Sequence, residues 1–206
     1  MDDFFTIVKE CVFQENEKRS KFISYSFSVE SIEDIKAKLE TIKATHWSAK
    51  HHVYAYSLNK NSTEKFSDDG EPSGTAGLPI LNAIRSEGLT NILVVVVRYF
   101  GGILLGTSGL RKMYSSGAKN VIQNSGKISI SLCSKVEIGT NYSNYNSILK
   151  KIKNCSGKVL ETKFKDKIEI MVAIPKENFE NFSKDTDKIG LNDTYINFIE
   201  DDYFKL

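Results

Sequence analysis

The stretch VVVVRYFGGILLGTSGL at residues 94–110 decides the architecture of the surrounding chain. It completes a run of β-branched and apolar residues at 92–97, which is typical of a strand that is covered on both faces. Four glycines follow that run: Gly101, Gly102, Gly106 and Gly109. Apolar and small residues then recur at the spacing of one helix face, at Leu110, Met113, Gly117 and Val121. The sequence therefore predicts a buried strand, a glycine loop and a helix in that order.

The residues before this stretch predict several strands and two further helices. Residues 4–13 alternate loosely and residues 23–29 alternate cleanly between apolar and polar side chains, as in half-buried strands. Ser31 and Asp34 resemble a capping box, and apolar residues at helical spacing continue to Lys43. The other elements predicted here are strands at 53–58 and 63–66 and a helix at 76–86.

The pattern of elements starts again at about residue 134. Strands are predicted at 135–140, 158–164, 168–174 and 194–199, and helices at 143–154 and from Pro175 onward. The order βαββαβ is that of a ferredoxin-like unit, so we expect a four-stranded antiparallel sheet with two helices on one face. The whole chain is predicted to be an α+β protein of two domains, 1–130 and 134–206, joined near residues 129–134.

Length and composition agree with a globular protein. The chain has 206 residues, of which 40% are apolar and 26% charged, and this balance excludes wholesale disorder. A net charge of +2 is too small to hold the chain on nucleic acid or a membrane, so such binding needs a local patch. No apolar run approaches the ~20 residues that cross a bilayer, and no secretion signal is evident, so we expect a cytoplasmic protein. Three cysteines without CxxC spacing predict buried free thiols: Cys11, Cys133 and Cys155.

The motif DDGEPSGTAG at residues 68–77 carries the first chemical signal. Its carboxylates Asp68, Asp69 and Glu71 fall within four positions and could hold Mg²⁺, which prefers oxygen ligands. The other interpretation is a polar turn whose acids stabilise the N-terminus of the next helix, with Ser73 or Thr75 as cap. Three acids and three glycines are more than an ordinary cap needs, so both interpretations stay open.

The glycine loop carries the second signal, because glycines after a strand let backbone amides approach a phosphate at a helix N-terminus. Gly101 and Gly106 match the start of a Walker A loop, but Thr107 stands where that loop requires lysine. The Rossmann spacing fails as well, since Gly101 and Gly102 are adjacent. A candidate anion or RNA site then comprises Arg98, Gly101, Gly102, Gly106, Thr107, Ser108, Arg111 and Lys112. A tight structural turn explains the glycines equally well.

Histidines and lysines give weaker signals. His51 and His52 are adjacent, so in a strand they point to opposite faces and cannot chelate one ion together; with His46, they are more typical of core or interface positions. No GxSxG elbow is present and no cysteine has a recognisable spacing to a histidine, so no catalytic residue is assigned. Seven lysines in the second half could contact phosphates or simply be solvated: Lys150, Lys151, Lys153, Lys158, Lys163, Lys165 and Lys167.

Together, DDGEPSGTAG with the following PIL, VVVVRYFGG, LGTSGL and Tyr114 closely resemble the YigZ/IMPACT family, most strongly over residues 20–123. The resemblance implies an N-terminal domain similar to domain 2 of ribosomal protein S5 and a C-terminal ferredoxin-like domain similar to one of elongation factor G. It implies a regulator of translation whose partner is RNA, the ribosome or a translation-related protein. The family motif loop comprises Asp68, Asp69, Gly70, Glu71, Pro72, Ser73, Gly74 and Thr75. The chain departs from the family pattern at Val53, Leu104 and Ser108.

Two hypotheses for function follow. The leading one is a non-enzymatic binding module that acts on translation through Arg98, Arg111 and Lys112 together with the lysines of the second half, without cofactor or membrane. The alternative is a magnesium-dependent enzyme of phosphate chemistry that uses the DDGEPSGTAG and glycine loops. Because both loops should reach the same sheet edge, we also predict that Glu71 lies within charge-pairing distance of Arg98 or Arg111.

Overall fold

A computed structural model of the protein describes residues 3–59, 62–188 and 194–205, without the side chains of 185–188. The chain forms two compact units, Phe4–Ile128 and Ser129–Leu206, the latter together with the first three residues. Both units combine helices with antiparallel strands, so the α+β class is confirmed. Among the described residues, no helix has the length and apolar character needed to cross a membrane.

The first unit is built on a five-stranded antiparallel sheet with the order β2-β3-β6-β4-β5. Its elements are β1 (Phe4–Ile7), β2 (Cys11–Glu17), β3 (Ser20–Ser28), α1 (Ile32–Thr45), β4 (His51–Leu58), β5 (Thr63–Ser67), α2 (Gly77–Ser86), β6 (Ile92–Tyr99) and α3 (Gly106–Ser125). The predicted strand at 4–13 is two strands, and between them the amides of Val8 and Lys9 donate to the carbonyls of Gly126 and Ser125 at the end of α3.

The central strand β6 is covered on both faces, as its continuous apolar sequence predicts. Val94 and Val96 face a core that contains residues of α2 and α3, among them the fully buried Ile80 and Tyr114. Leu93, Val95 and Val97 face a second core that contains Ile35 and Ile42 of α1. The sheet is therefore sandwiched between α1 on one side and α2 with α3 on the other.

One end of this sheet gathers both sequence motifs. Strands β3 and β4 begin where β6 ends, since Lys21 pairs with Tyr99 and His51 pairs with Arg98. Strand β5 runs antiparallel to β4, so β5 ends beside the beginning of β4, at the same end of the sheet. The DDGEPSGTAG loop after β5 and the glycine loop after β6 consequently leave the sheet at one end.

The second unit has the predicted order of elements, with four antiparallel strands arranged β8-β9-β7-β10. Its elements are β7 (Lys127–Thr140), α4 (Tyr145–Asn154), β8 (Lys158–Phe164), β9 (Ile168–Pro175), α5 (Lys176–Lys188) and β10 (Tyr195–Lys205). Residues of both helices, Ile148, Ile152 and Phe182, share one core with alternate residues of β7 and β9. Both helices therefore lie on the same face of this sheet.

Two sequence expectations need correction in this region. The strand predicted at 135–140 begins earlier, at Lys127, so residues 129–134 lie within β7, where residues 130–134 pair with β10; the two units divide between Ile128 and Ser129. All three cysteines are free, but only Cys133 is fully buried, whereas Cys11 and Cys155 are partly exposed.

Candidate functional site

Asp68 caps the helix that follows the DDGEPSGTAG loop. Its carboxylate accepts hydrogen bonds from the backbone amides of Gly74 at 2.8 Å, Ala76 at 3.0 Å and Gly77 at 2.8 Å. These amides lie at the start of α2, where the first turn leaves donors unsatisfied and the helix dipole favours an anion. The helix-capping interpretation is therefore correct, but the acceptor is Asp68 rather than Ser73 or Thr75. The Thr75 hydroxyl instead donates to the Pro72 carbonyl at 2.6 Å.

Asp69 ties the same loop to the beginning of β4. Its carboxylate accepts from the His52 amide at 2.6 Å, and its carbonyl accepts from Nδ1 of His51 at 2.8 Å. The Nε2 atom of His52 donates to the His46 carbonyl at 3.1 Å, on the other side of the strand. The two neighbouring histidines thus point to opposite faces, as predicted, and both have structural partners.

Glu71 forms the centre of a buried polar cluster. One of its carboxylate oxygens accepts from Arg98 Nη1 at 2.7 Å and from the Tyr114 hydroxyl at 2.7 Å, and His51 Nε2 lies 3.8 Å away. The Glu71 and Arg98 side chains are only 3% and 5% exposed. Burial and the neighbouring Glu71 carboxylate raise the pKa of the Tyr114 hydroxyl well above its ordinary range, which keeps this donor protonated. The predicted pairing of Glu71 with Arg98 is confirmed.

Arg98 is enclosed and does not face solvent. Its guanidinium carbon lies 5.5 Å from the ring centre of Phe22 and 5.4 Å from that of Phe100, a geometry suited to cation–π attraction. Its Nη2 atom also approaches the Ser20 hydroxyl at 3.5 Å. Arg98 therefore belongs to the support of the site, which corrects its predicted role as a contact for an anion or RNA.

Gly101 has a purely steric reason to be glycine. A Cβ atom at this position would stand 2.0 Å from the backbone carbon and oxygen of Arg19. The Gly101 amide donates to the Ser20 hydroxyl at 3.3 Å, which fixes the glycine loop against the start of β3. At Gly101 the structural-turn interpretation of the glycines is therefore the correct one.

The three carboxylates of the motif have separate donors. Asp68 binds helix amides, Asp69 binds the β4 backbone and Glu71 binds Arg98 and Tyr114. Within the described residues, no three His, Cys, Asp or Glu side chains cluster as a metal site. The hydrogen bonds thus give each of the three carboxylates a structural role in this loop. Its exposed residues are Gly70, Pro72 and Ser73, and Gly74 is half-buried.

The start of α3 is the part of the predicted anion site that solvent reaches. Gly106, Thr107 and Ser108 are exposed, and the N-cap residue Leu105 supplies no side-chain hydrogen bond to the helix amides. Arg111 and Lys112 follow on the exposed surface of the same helix, and Gly102 is exposed in the preceding loop. This end of α3 therefore combines free backbone donors, the positive end of the helix dipole and two cations.

Two exposed apolar side chains at this end of the sheet were not predicted from the sequence. Trp47 is 83% exposed in the turn before β4, and Leu104 is 81% exposed in the glycine loop. The sequence indicated only that Trp47 lies near histidines. The chain has one tryptophan, and a single residue forms no periodic pattern from which its burial or exposure could be predicted. The exposure of Trp47 therefore follows only from the geometry of the turn.

The lysines of the second unit do not form a single face. Lys163 lines the open face of the sheet beside the carboxylates of Glu137, Glu161 and Glu169. The lysines of α4 lie on the helix that covers the opposite face. Several lysines also have acidic partners, as in the pairs Lys163 with Glu161 at 3.4 Å and Lys165 with Glu169 at 2.9 Å.

Comparison with known proteins gives a consistent result. The sequence profile of the Impact N-terminal domain matches residues 18–122. An IMPACT family member from Haemophilus influenzae is 34% identical over 191 residues, which cover 90% of this chain and 91% of that protein. The IMPACT family member YigZ from Escherichia coli is 33% identical over 169 residues, which cover 81% and 83% of the two chains. A crystal structure of a hypothetical protein matches with a TM-score of 0.64 at 30% identity and covers 97% of this chain and 98% of its own. This chain therefore belongs to the IMPACT family, in agreement with the resemblance of its motifs.

Proposed function

We propose that this protein is a non-enzymatic binding module that acts on translation by contacting RNA through the exposed face of α3. The observation that carries the proposal is the start of α3, where uncapped backbone amides lie beside exposed Arg111 and Lys112. Backbone amides at a helix N-terminus and flexible cations are the groups that proteins use to contact phosphates.

The charge pattern of the surrounding chain supports an anionic partner. Residues 88–136 contain no Asp or Glu, so α3 carries Arg111, Lys112 and Lys119 without any acid on the same helix. A shallow polar groove runs along the helix and is lined by Lys112, Ser115, Ser116, Lys119, Asn120 and Gln123. Lysine, serine, asparagine and glutamine side chains are common donors to phosphate and sugar oxygens. The groove thus extends the contact surface beyond the helix end.

Membership in the IMPACT family supports the translational part of the proposal, because the motif resemblance implies a regulator of translation. The enzymatic alternative has no comparable support. It would hold Mg²⁺ with Asp68, Asp69 or Glu71, and these carboxylates accept hydrogen bonds from the α2 amides, from the His52 amide and from Arg98 with Tyr114, respectively.

The proposal is tested with a fluorescently labelled RNA oligonucleotide and the change in its anisotropy on titration with protein. The variant Arg111→Gln with Lys112→Gln should weaken binding clearly. The matched control Lys36→Gln with Lys43→Gln removes the same charge from exposed positions on α1, across the sheet, and should bind like the wild type. Equal losses in both variants would show that binding depends on net charge and not on α3, and absence of binding at low salt would refute RNA as the partner.

A further inference from the structure

We propose that the RNA bound by this protein is single-stranded and that its unpaired bases stack on Trp47, with Phe100 beside it. This inference rests on the proposed function, to which it adds the class of RNA and the residues that select it.

Trp47 is held in solvent by a well-anchored turn. The Ala49 amide donates to the His46 carbonyl at 2.9 Å and closes the turn on which Trp47 lies. Before Trp47, the His46 ring contacts the hydroxyls of Tyr25 at 2.6 Å and Tyr99 at 2.8 Å. After it, the Lys50 amide donates to the Arg98 carbonyl at 3.1 Å. A large aromatic side chain is thus 83% exposed on a turn that hydrogen bonds fix on both sides.

Phe100 adds a second aromatic surface next to this turn. Phe100 is 41% exposed, and the Lys50 ammonium and the Arg98 guanidinium each lie 5.4 Å from its ring centre. Lys50 therefore links the Trp47 turn to the glycine loop directly. The loop continues through the exposed Ile103 and Leu104 to the start of α3. Four large exposed apolar side chains thus belong to two contacting loops at one end of the sheet.

The charges around these apolar side chains are those of an anion-binding surface. Residues 41–63 contain no Asp or Glu, and neither does the stretch 88–136 that includes the glycine loop. Lys21 and Lys50 lie near the rings of Tyr99 and Phe100, and Arg111 and Lys112 follow in α3. The acids of the adjacent DDGEPSGTAG loop accept hydrogen bonds from amides, Arg98 and Tyr114, and of these Asp69 keeps 35% of its side chain exposed.

Aromatic faces within a basic surface match the chemistry of single-stranded nucleic acid, in which bases are free to stack while phosphates meet cations. A duplex offers the same phosphates, but its base faces are already stacked. The surface therefore selects single strands through stacking, and α3 supplies the phosphate contacts.

The experiment uses Trp47 as its own reporter, because the chain contains one tryptophan. Tryptophan emission is recorded while a single-stranded oligouridylate, or the same strand annealed to its complement, is added to the full chain. We expect quenching by the single strand and little change with the duplex. Binding of Trp47→Ala to the single strand, measured by anisotropy, should weaken by about 5- to 150-fold, as stacking energies of ~1–3 kcal/mol per base imply. Trp47→Phe should keep most of the affinity, and the matched control Tyr142→Ala, an exposed aromatic residue of the second unit, should keep all of it.

The outcomes separate this inference from the proposed function. If RNA binds and depends on Arg111 and Lys112, but Trp47 is not quenched and Trp47→Ala binds normally, the stacking inference is overturned and the proposed function stands. If no RNA binds at low salt, the proposed function fails and the inference fails with it. A blue shift of Trp47 emission with an acidic amphipathic peptide, at lower concentration than any RNA requires, would assign the surface to a protein partner instead.

Discussion

The pairing of Glu71 with Arg98 makes a quantitative prediction for the stability of the first unit. The two side chains share a 2.7 Å hydrogen bond and are 3% and 5% exposed, so neither charge has solvent to compensate for loss of the other. Glu71→Gln should therefore destabilise the unit by about 3–5 kcal/mol, since it strands the Arg98 cation in the interior. Arg98→Gln should cost a similar amount, because Glu71 would keep only the Tyr114 hydroxyl as a close donor.

The double variant, Glu71→Gln with Arg98→Gln, separates the energy of the interaction between the two side chains from what each contributes to stability alone. With both charges removed, no buried ion remains unpaired, so the double variant should cost about as much as one single variant. The coupling energy of the cycle should then reach about 3 kcal/mol, far above that of an exposed pair, which is worth under about 1 kcal/mol.

Amide hydrogen exchange of β6, followed by mass spectrometry, is the appropriate assay. The central residues of this strand are fully buried, so their amides exchange only when the first unit opens and their protection reports its free energy of unfolding. Additive effects of the two substitutions would refute the reasoning, because they would mean that Glu71 and Arg98 stabilise the unit separately.

Three further predictions concern the surroundings of this cluster. Gly117→Ala should destabilise the first unit by about 1–3 kcal/mol in urea titrations, since the new methyl group would stand 2.4 Å from the Ser24 hydroxyl; adding Ser24→Ala should restore much of the loss, and failure of this rescue would contradict the steric explanation. Burial raises the pKa of Glu15, so the stability that its carboxyl group contributes is complete at acidic pH and is lost as pH rises through its native pKa. Glu15→Gln should flatten this pH dependence and raise the urea midpoint at neutral pH. An unchanged plot of urea midpoint against pH would exclude Glu15 as the source of the dependence. Asp68→Asn should lower the free energy of unfolding by about 0.5–2 kcal/mol, because a neutral amide caps α2 less well than a carboxylate that accepts three backbone hydrogen bonds. An unchanged melting temperature would argue against the cap.

The sequence predicted those features that depend on local pattern or on simple topology. The β-branched run of β6 requires two covered faces, and the structure provides them. The pairing of Glu71 with Arg98 followed from placing two loops at one sheet edge. The similarity of the two units to ribosomal protein S5 and elongation factor G domains stays a prediction.

Other features depend on geometry that composition does not encode. Arginine is rarely buried, so the enclosed position of Arg98 could be found only once Glu71, Phe22 and Phe100 were seen around it. By contrast, the early start of β7 does have a signal in the sequence, because Ile128, Ile130 and Leu132 alternate with Ser129 and Ser131 as in a half-buried strand. The exposure of Trp47 depends on the His46–Ala49 hydrogen bond, which has no signature in the sequence.

The salt dependence of RNA affinity tests the central claim most directly, since phosphate contacts release counterions in proportion to their number. For the wild type, the logarithm of the association constant should fall linearly with the logarithm of salt concentration. For Arg111→Gln with Lys112→Gln, the slope should be shallower by about 1.4, or about 0.7 for each phosphate of the single strand that the variant no longer neutralises. A slope identical to that of the wild type, or no measurable affinity at low salt, would contradict the claim that α3 binds RNA through its phosphates.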